Sequence, residues 1–262
     1  MKTVTIAFAN NKGGSGKSTT CANVGYALAA EGKRVLLVDG DMQMNLTLSF
    51  MDEDRALASA QNGENLYSVI KNDAAAQNYI AKTGYDGLSL LPSSTLMSGV
   101  EFDLFTRWQR EFILRKALAP VKESGEYDYI LIDAPPTLGG WVMNILCASD
   151  YVVIPVEASP WGVFGLANMI DFVKEVGGIA PELRVLGIAV TKADARKNYL
   201  KETLENLTSQ DAYPVFSTII HTDSAVEWSQ DRSLPVAVYK KSARSAKEYA
   251  ELAKEIMNHV SR

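Results

Sequence analysis

The chain has 262 residues, 47% of them apolar, and 26 Lys and Arg against 31 Asp and Glu, giving a net charge of −5. That length and apolar fraction provide for a sizeable buried core and exclude an intrinsically disordered chain. The acidic balance excludes global attraction to nucleic acid, so any DNA contact requires a local basic patch.

In chain order, the apolar run 4–9 reads as a strand and leads into Asn11-Lys12-Gly13-Gly14-Ser15-Gly16-Lys17-Ser18-Thr19, with a helical stretch at 18–30. Strand, glycine loop and helix form the order of a phosphate-binding loop. Gly13, Gly14 and Gly16 let the backbone bring bare N–H groups, including that of Ser15, up to an anion at a helix N-terminus. Lys17 is expected on the β- and γ-phosphates, the Ser18 hydroxyl on Mg²⁺, and Thr19 near the α-phosphate. An ordinary loop of this kind carries glycine where Asn11 stands. Lys12, five residues ahead of Lys17, is an addition. It is either a solvated surface lysine or a group that reaches a nucleotide on a neighbouring subunit.

The strand 35–38 runs into Asp39-Gly40-Asp41-Met42-Gln43-Met44-Asn45. Carboxylates at i and i+2 face one side of extended backbone. One of the pair can orient water or hold Mg²⁺ through water; the other reading is helix capping, which suits Asp39 better than Asp41. Residues 52–61 read as an exposed helix or loop, 88–91 as a strand and 101–119 as a long helix. The strand 129–132 ends in Asp133-Ala134-Pro135-Pro136. A strand-end aspartate suits a Mg²⁺ shell through water. The prolines cannot continue a central strand and stiffen the loop.

Strands follow at 151–156, 185–190 and 215–220, with helices at 163–176, 200–207 and 243–260. Thr191-Lys192-Ala193-Asp194-Ala195-Arg196 closes the strand 185–190. Apolar strands alternating with helices predict an α/β fold: a doubly wound, mostly parallel sheet with helices on both faces, as one domain over 1–262. Its ligand belongs at the carboxyl ends of the strands. Met1-Lys2 leads straight into a strand rather than a signal peptide, no run of 18 apolar residues occurs, and Cys21 and Cys147 fit buried, reduced thiols. A cytoplasmic protein is expected.

Residues 12–19 resemble the deviant Walker A motif of the ParA/Soj and MinD ATPases, and similarity to that superfamily continues over almost the whole length. Asp41, Gln43 and Asn45 are in register with its Asp-x-Asp-Pro-Gln-x-Asn element, with Met42 at the proline. Asp133 to Pro136 resemble its Asp-x-Pro-Pro switch, and Thr191, Asp194 and Arg196 the Thr-x-x-Asp-x-Arg of the ParA branch. The resemblance implies ATP and Mg²⁺ as ligands, Asp41 positioning the hydrolytic water, and Thr191 near the base. It also implies Lys12 crossing an ATP sandwich homodimer to the partner's phosphates. Non-specific DNA binding by that dimer, and release by a ParB-like stimulating protein, would segregate a plasmid or chromosome.

Arg196, Lys197 and Lys201 form one candidate DNA group; Lys240, Lys241, Arg244 and Lys247 form another. Both are equally readable as solvated helix faces. Ile219-Ile220-His221-Thr222 departs from an Ile-Pro-Arg-Asn stretch of the Soj-like proteins, so His221 replaces an arginine often tied to DNA. Alternatives are a MinD-like membrane-cycling module and a positioner of protein cargo. The last helix has Leu252, Ile256, Met257 and Val260 at helical spacing but also Glu251 and Glu255, and without a basic amphipathic extension it reads as a helix packed on the domain.

Overall fold

A computed structural model describes residues 2–194, 196, 199–209 and 213–261. Its strands are β1 (Val4–Phe8), β2 (Val35–Asp39), β3 (Ala81–Lys82), β4 (Leu88–Leu91), β5 (Tyr129–Asp133), β6 (Tyr151–Glu157) and β7 (Arg184–Thr191). They form one sheet in the order β3-β4-β2-β5-β1-β6-β7. Among the described residues only the short edge strand β3 is antiparallel. β5 inserts between β1 and β2, and β6 takes the other side of β1, so the strand order reverses around β1. In open α/β sheets that is where a ligand crevice opens.

The helices are α1 (Lys17–Ala30), α2 (Asn45–Leu48), α3 (Glu53–Gln61), α4 (Leu66–Lys71), α5 (Val100–Phe105), α6 (Ile113–Ser124), α7 (Gly140–Cys147), α8 (Pro160–Gly177), α9 (Tyr199–Ser209), α10 (Ser224–Asp231), α11 (Val236–Tyr239) and α12 (Arg244–Val260). Alternate strand residues point to opposite faces. Ile6 and Phe8 pack with Val24 and Leu28 of α1 and Leu252 and Ile256 of α12. Ala7 and Ala9 join the core that holds Leu114 of α6, Ile145 of α7 and Met169 of α8. Every residue of β2 and β5 is buried. At roughly 1.5–3 kcal/mol per fully buried large apolar side chain, these two faces hold the sheet together.

The expected doubly wound fold and its six parallel strands are present, as are the helices near 18–30, 163–176, 200–207 and 243–260. Residues 52–61 form α3, capped by Asp52, whose side chain accepts from the Arg55 N–H. Two expectations need correction. The run 215–220 is not a strand: beside β7 it forms one isolated bridge at Val215, the Phe216 and Ile220 N–H groups donate to the Ile188 and Val190 carbonyls, and His221 bridges Ala193 just beyond β7. Between them, the N–H groups of Ser217 and Thr218 donate to the Glu255 carboxylate of α12 at 2.7 and 3.0 Å. That diverts the donors a ladder would use.

The long helix at 101–119 is broken into α5, a 3-10 turn and α6, with Gln109 left-handed at φ 53°. Four tertiary hydrogen bonds hold the break. The Arg107 guanidinium donates to the carbonyls of Ile70 and Lys71 at the end of α4. Asn144 of α7 donates to the Arg110 carbonyl and accepts from the Leu114 N–H.

Candidate functional site

Gly14 and Gly16 take φ of 75° and 84°, conformations that L-residues avoid at roughly 1–2 kcal/mol each. Gly16 is the N-cap of α1 and supplies no side-chain cap. The N–H groups of the first turn are thereby left for a ligand, with the helix dipole favouring an anion. Two bonds pin the loop to the sheet and a third braces it from within. The Asn10 amide donates to the Pro155 carbonyl of β6 at 2.7 Å, the Lys12 N–H to Asn10 Oδ1 at 3.0 Å, and the Thr191 hydroxyl of β7 to the Ser15 carbonyl at 2.8 Å. Lys17 is buried and curls over the loop, its Nζ donating to the Lys12 carbonyl at 3.2 Å. Burial pulls its ammonium below the usual lysine range; the charges of Asp133 and Asp41 oppose that fall.

The three carboxylates divide by surroundings. Asp39 is fully buried and accepts from the Thr47 N–H and hydroxyl, at 2.7 and 2.6 Å, and from the Asp41 N–H at 3.1 Å. It anchors the loop that runs into α2, the capping role favoured for it. Burial nevertheless pushes its carboxyl up to about 6, against the pull of the Thr47 and Asp41 donors. Asp41 lines the cleft; its Oδ1 accepts from the Gln43 N–H, and its carbonyl accepts from the Ser93 hydroxyl at 2.8 Å. Asp133 is fully buried, and neither carboxylate oxygen has a hydrogen-bond partner among the described residues. Burial raises its carboxyl well above the usual range and the Asp39 charge adds to this. The nearby Ser18 hydroxyl and the Lys17 charge oppose the rise.

A cleft of about 490 Å³ opens over the loop at the carboxyl ends of the strands. Gly13, Gly14, Gly16, Lys17, Ser18 and Thr19 form its floor, with Asp41, Gln43 and Pro136 on one side and Thr191 and Lys192 on another. Lys12 is turned elsewhere, donating to Glu157 at 2.7 Å and to the Ser159 hydroxyl at 3.1 Å within its own subunit. Thr191 lines the cleft, yet its hydroxyl braces the loop. The remaining wall was missed in the sequence: Ile220, Thr222, Asp223, Val226, Gln230 and Tyr249. Gln230 donates to the Thr19 hydroxyl at 2.8 Å. Asp223 caps α10 through the Ala225 N–H and also accepts from the Ser245 N–H in the first turn of α12. An aspartate just before a helical segment was the available sequence signal; its reach to a second helix had none.

His221 belongs to this wall as well, with its ring Nδ1 2.8 Å from Glu248. Arg244 also donates to Glu248, and Arg196 makes a paired contact with Asp194. Lys201 pairs with Glu205 at 3.7 Å. Lys240, Lys241 and Lys247 are exposed around the start of α12, and Lys197 lies outside the described residues. Among the described residues, no helix is long and apolar enough to cross a membrane.

An orphaned, buried carboxylate beside a buried lysine and a hydroxyl fits a divalent cation, and the glycine loop above it fits a polyphosphate. The donor set is therefore consistent with a nucleotide and Mg²⁺ held together. Known proteins point the same way. A family model described as "AAA domain" matches residues 3–185. The sporulation initiation inhibitor protein Soj of Bacillus subtilis (strain 168) is 35% identical over 252 residues, which cover 96% of this chain and 97% of Soj. The chromosome partitioning protein ParA of Caulobacter vibrioides (strain NA1000 / CB15N) is 31% identical over 254 residues, 97% of this chain and 93% of that protein. Among solved structures, cobyrinic acid a,c-diamide synthase from Mycobacterium smegmatis with bound ADP and magnesium superposes with a TM-score of 0.82 at 29% identity, covering 99% of this chain and 96% of that one.

Proposed function

The chain belongs to the ParA/Soj family of partition ATPases, and from that premise we propose that it binds Mg²⁺-ATP in this cleft and pairs with a second copy across the nucleotide. The paired form binds DNA without sequence preference, and a ParB-like partner releases it by stimulating hydrolysis. The observation that carries this reading is the buried Asp133 carboxylate beside Lys17 and Ser18, without a hydrogen-bond partner among the described residues.

The loop N–H groups and Lys17 bind the phosphate oxygens, and Thr19 lies toward the α-phosphate end. Ser18 and Asp133 would hold Mg²⁺, Asp133 through water, which when bound offsets phosphate charge. Asp41, fixed by Ser93 and Gln43, orients the attacking water. Lys12 leaves Glu157 and Ser159 to reach the partner's phosphates. That exchange keeps its ammonium paired in both states, so it trades one charge-assisted bond for another.

Lys240, Lys241 and Lys247 lead the DNA contacts. Arg196 and Arg244 already serve Asp194 and Glu248, and contribute once those pairs rearrange. In the cell the protein is cytoplasmic and associates with the nucleoid when ATP-bound, carrying a plasmid, chromosome or protein cargo. Co-sedimentation with non-specific DNA in ATP, ADP and no nucleotide, across a salt series, tests this. Binding in ATP alone that falls steeply with salt is expected. Equal binding in all three states contradicts the reading.

A further inference from the structure

Trp141 is 2% exposed and joins the neighbouring loops that follow β2 and β5 on one side of the cleft. It sits in the first turn of α7, directly after the Pro135-Pro136 loop. Its indole N–H donates to the Gly40 carbonyl at 2.8 Å, one residue ahead of Asp41. Its backbone N–H donates to Glu101 Oε1 of α5 at 3.0 Å. Gly139, the N-cap of α7, has no side chain to cap that helix, and Glu101 supplies the acceptor from another element. The fit is close, since a Cβ at Gly139 would come within 2.5 Å of Glu101 Oε1, and one at Gly140 within 2.9 Å of Oε2.

Gly40 itself has little freedom. Its N–H donates to the Asp133 carbonyl at 2.9 Å, and a Cβ there would meet that oxygen at 2.7 Å. The residue ahead of Asp41 is thus gripped by β5 through its N–H and by Trp141 through its carbonyl. We propose that Trp141, held by Glu101, is a positioning residue that fixes Asp41 relative to the Pro135-Pro136 loop for ATP hydrolysis. This rests on the reading of Asp41 as the water-orienting residue. A buried indole with one donor has one bond to give, and here it fixes the carbonyl that sets the Asp41 backbone. Small displacements of a positioned group lower turnover far more than they lower substrate binding.

The test compares Trp141→Phe, Glu101→Ala, Glu101→Gln and Asp41→Ala with the wild type. Trp141→Phe keeps an aromatic ring but removes the donor. Expected is a fall in kcat of about ten-fold or more with KM for ATP within about two-fold. Glu101→Ala should fall similarly, and Glu101→Gln, which keeps a carbonyl acceptor, should restore most of the rate. In nucleotide-free protein, hydrogen exchange over residues 39–46 should quicken in Trp141→Phe while α12 stays protected. Wild-type kcat and exchange in Trp141→Phe, with Asp41→Ala inactive, overturns the positioning role alone. Wild-type turnover in Asp41→Ala overturns the reading beneath it as well. If Trp141→Phe fails to fold, the Glu101 pair decides: equal rates in Glu101→Ala and Glu101→Gln overturn the proposal.

Discussion

Asp39 and Asp41 stand two residues apart, and their neighbours give them different tasks. Asp39 has three donors and no exposure, so it holds the β2–α2 connection in place. Asp41 turns toward the cleft. Asp39→Ala should lower stability by about 2–4 kcal/mol, because it strands buried donors of Thr47 and Asp41. Asp41→Ala should unfold near the wild-type temperature, retain ATP and hydrolyse it poorly. Thermal unfolding and single-turnover hydrolysis separate the two; a stable Asp39→Ala or an active Asp41→Ala would reverse the assignment. The i, i+2 spacing announced a pair of carboxylates in the sequence. It could not say which one the Thr47 hydroxyl would claim, because that depends on where the next helix folds back.

Elements were legible where a local pattern decided them. The six parallel strands and the glycine loop are continuous in sequence, and their apolar runs and punctuation suffice. The run 215–220 has the composition of a strand, but Glu255, 38 residues after Ser217, takes the Ser217 and Thr218 donors. The helix at 101–119 has unbroken propensity, but Arg107, bound to the distant Ile70 carbonyl, and the distant Asn144, bound to the Arg110 carbonyl, stop it. At the opposite end of the sheet from the cleft, Arg34 at the foot of β2 binds Asp128 at the foot of β5, Nη2 to Oδ1 at 2.7 Å. Hydrogen bonding from the Arg34 side chain holds the Asp128 carboxyl down to about 2. The folded chain then binds fewer protons here than the unfolded chain. Its contribution is therefore complete above the ordinary carboxylate range and is lost as pH falls through about 2. Arg34 is largely exposed, so the effect is small and salt-screened. Asp128→Asn should lower the denaturation midpoint at neutral pH, and that difference should shrink below about pH 3. A difference that is constant with pH would remove the ion pair from the account.

At the scale of the whole molecule, the strand reversal at β1 places the glycine loop and Asp41 around one cleft, with Asp133 buried beside Lys17 and Ser18. The loops that follow β7 and begin α10 supply its far wall. That wall was the part of the site least legible in sequence, since it is assembled from caps and bonds such as Gln230 to Thr19. A sandwich across the nucleotide requires Lys12 to exchange its Glu157 partner for another. Lys12→Ala should therefore still bind ATP yet stay monomeric in light scattering, and an unaltered ATP-dependent dimer would return Lys12 to a surface role. The central claim is that the loop at the tip of β1 grips a triphosphate. Titration calorimetry of Mg²⁺-ATP into wild type and folded Lys17→Ala tests it most directly. Binding of one nucleotide per chain in the wild type, lost in the variant, is predicted; undiminished affinity in Lys17→Ala would contradict it.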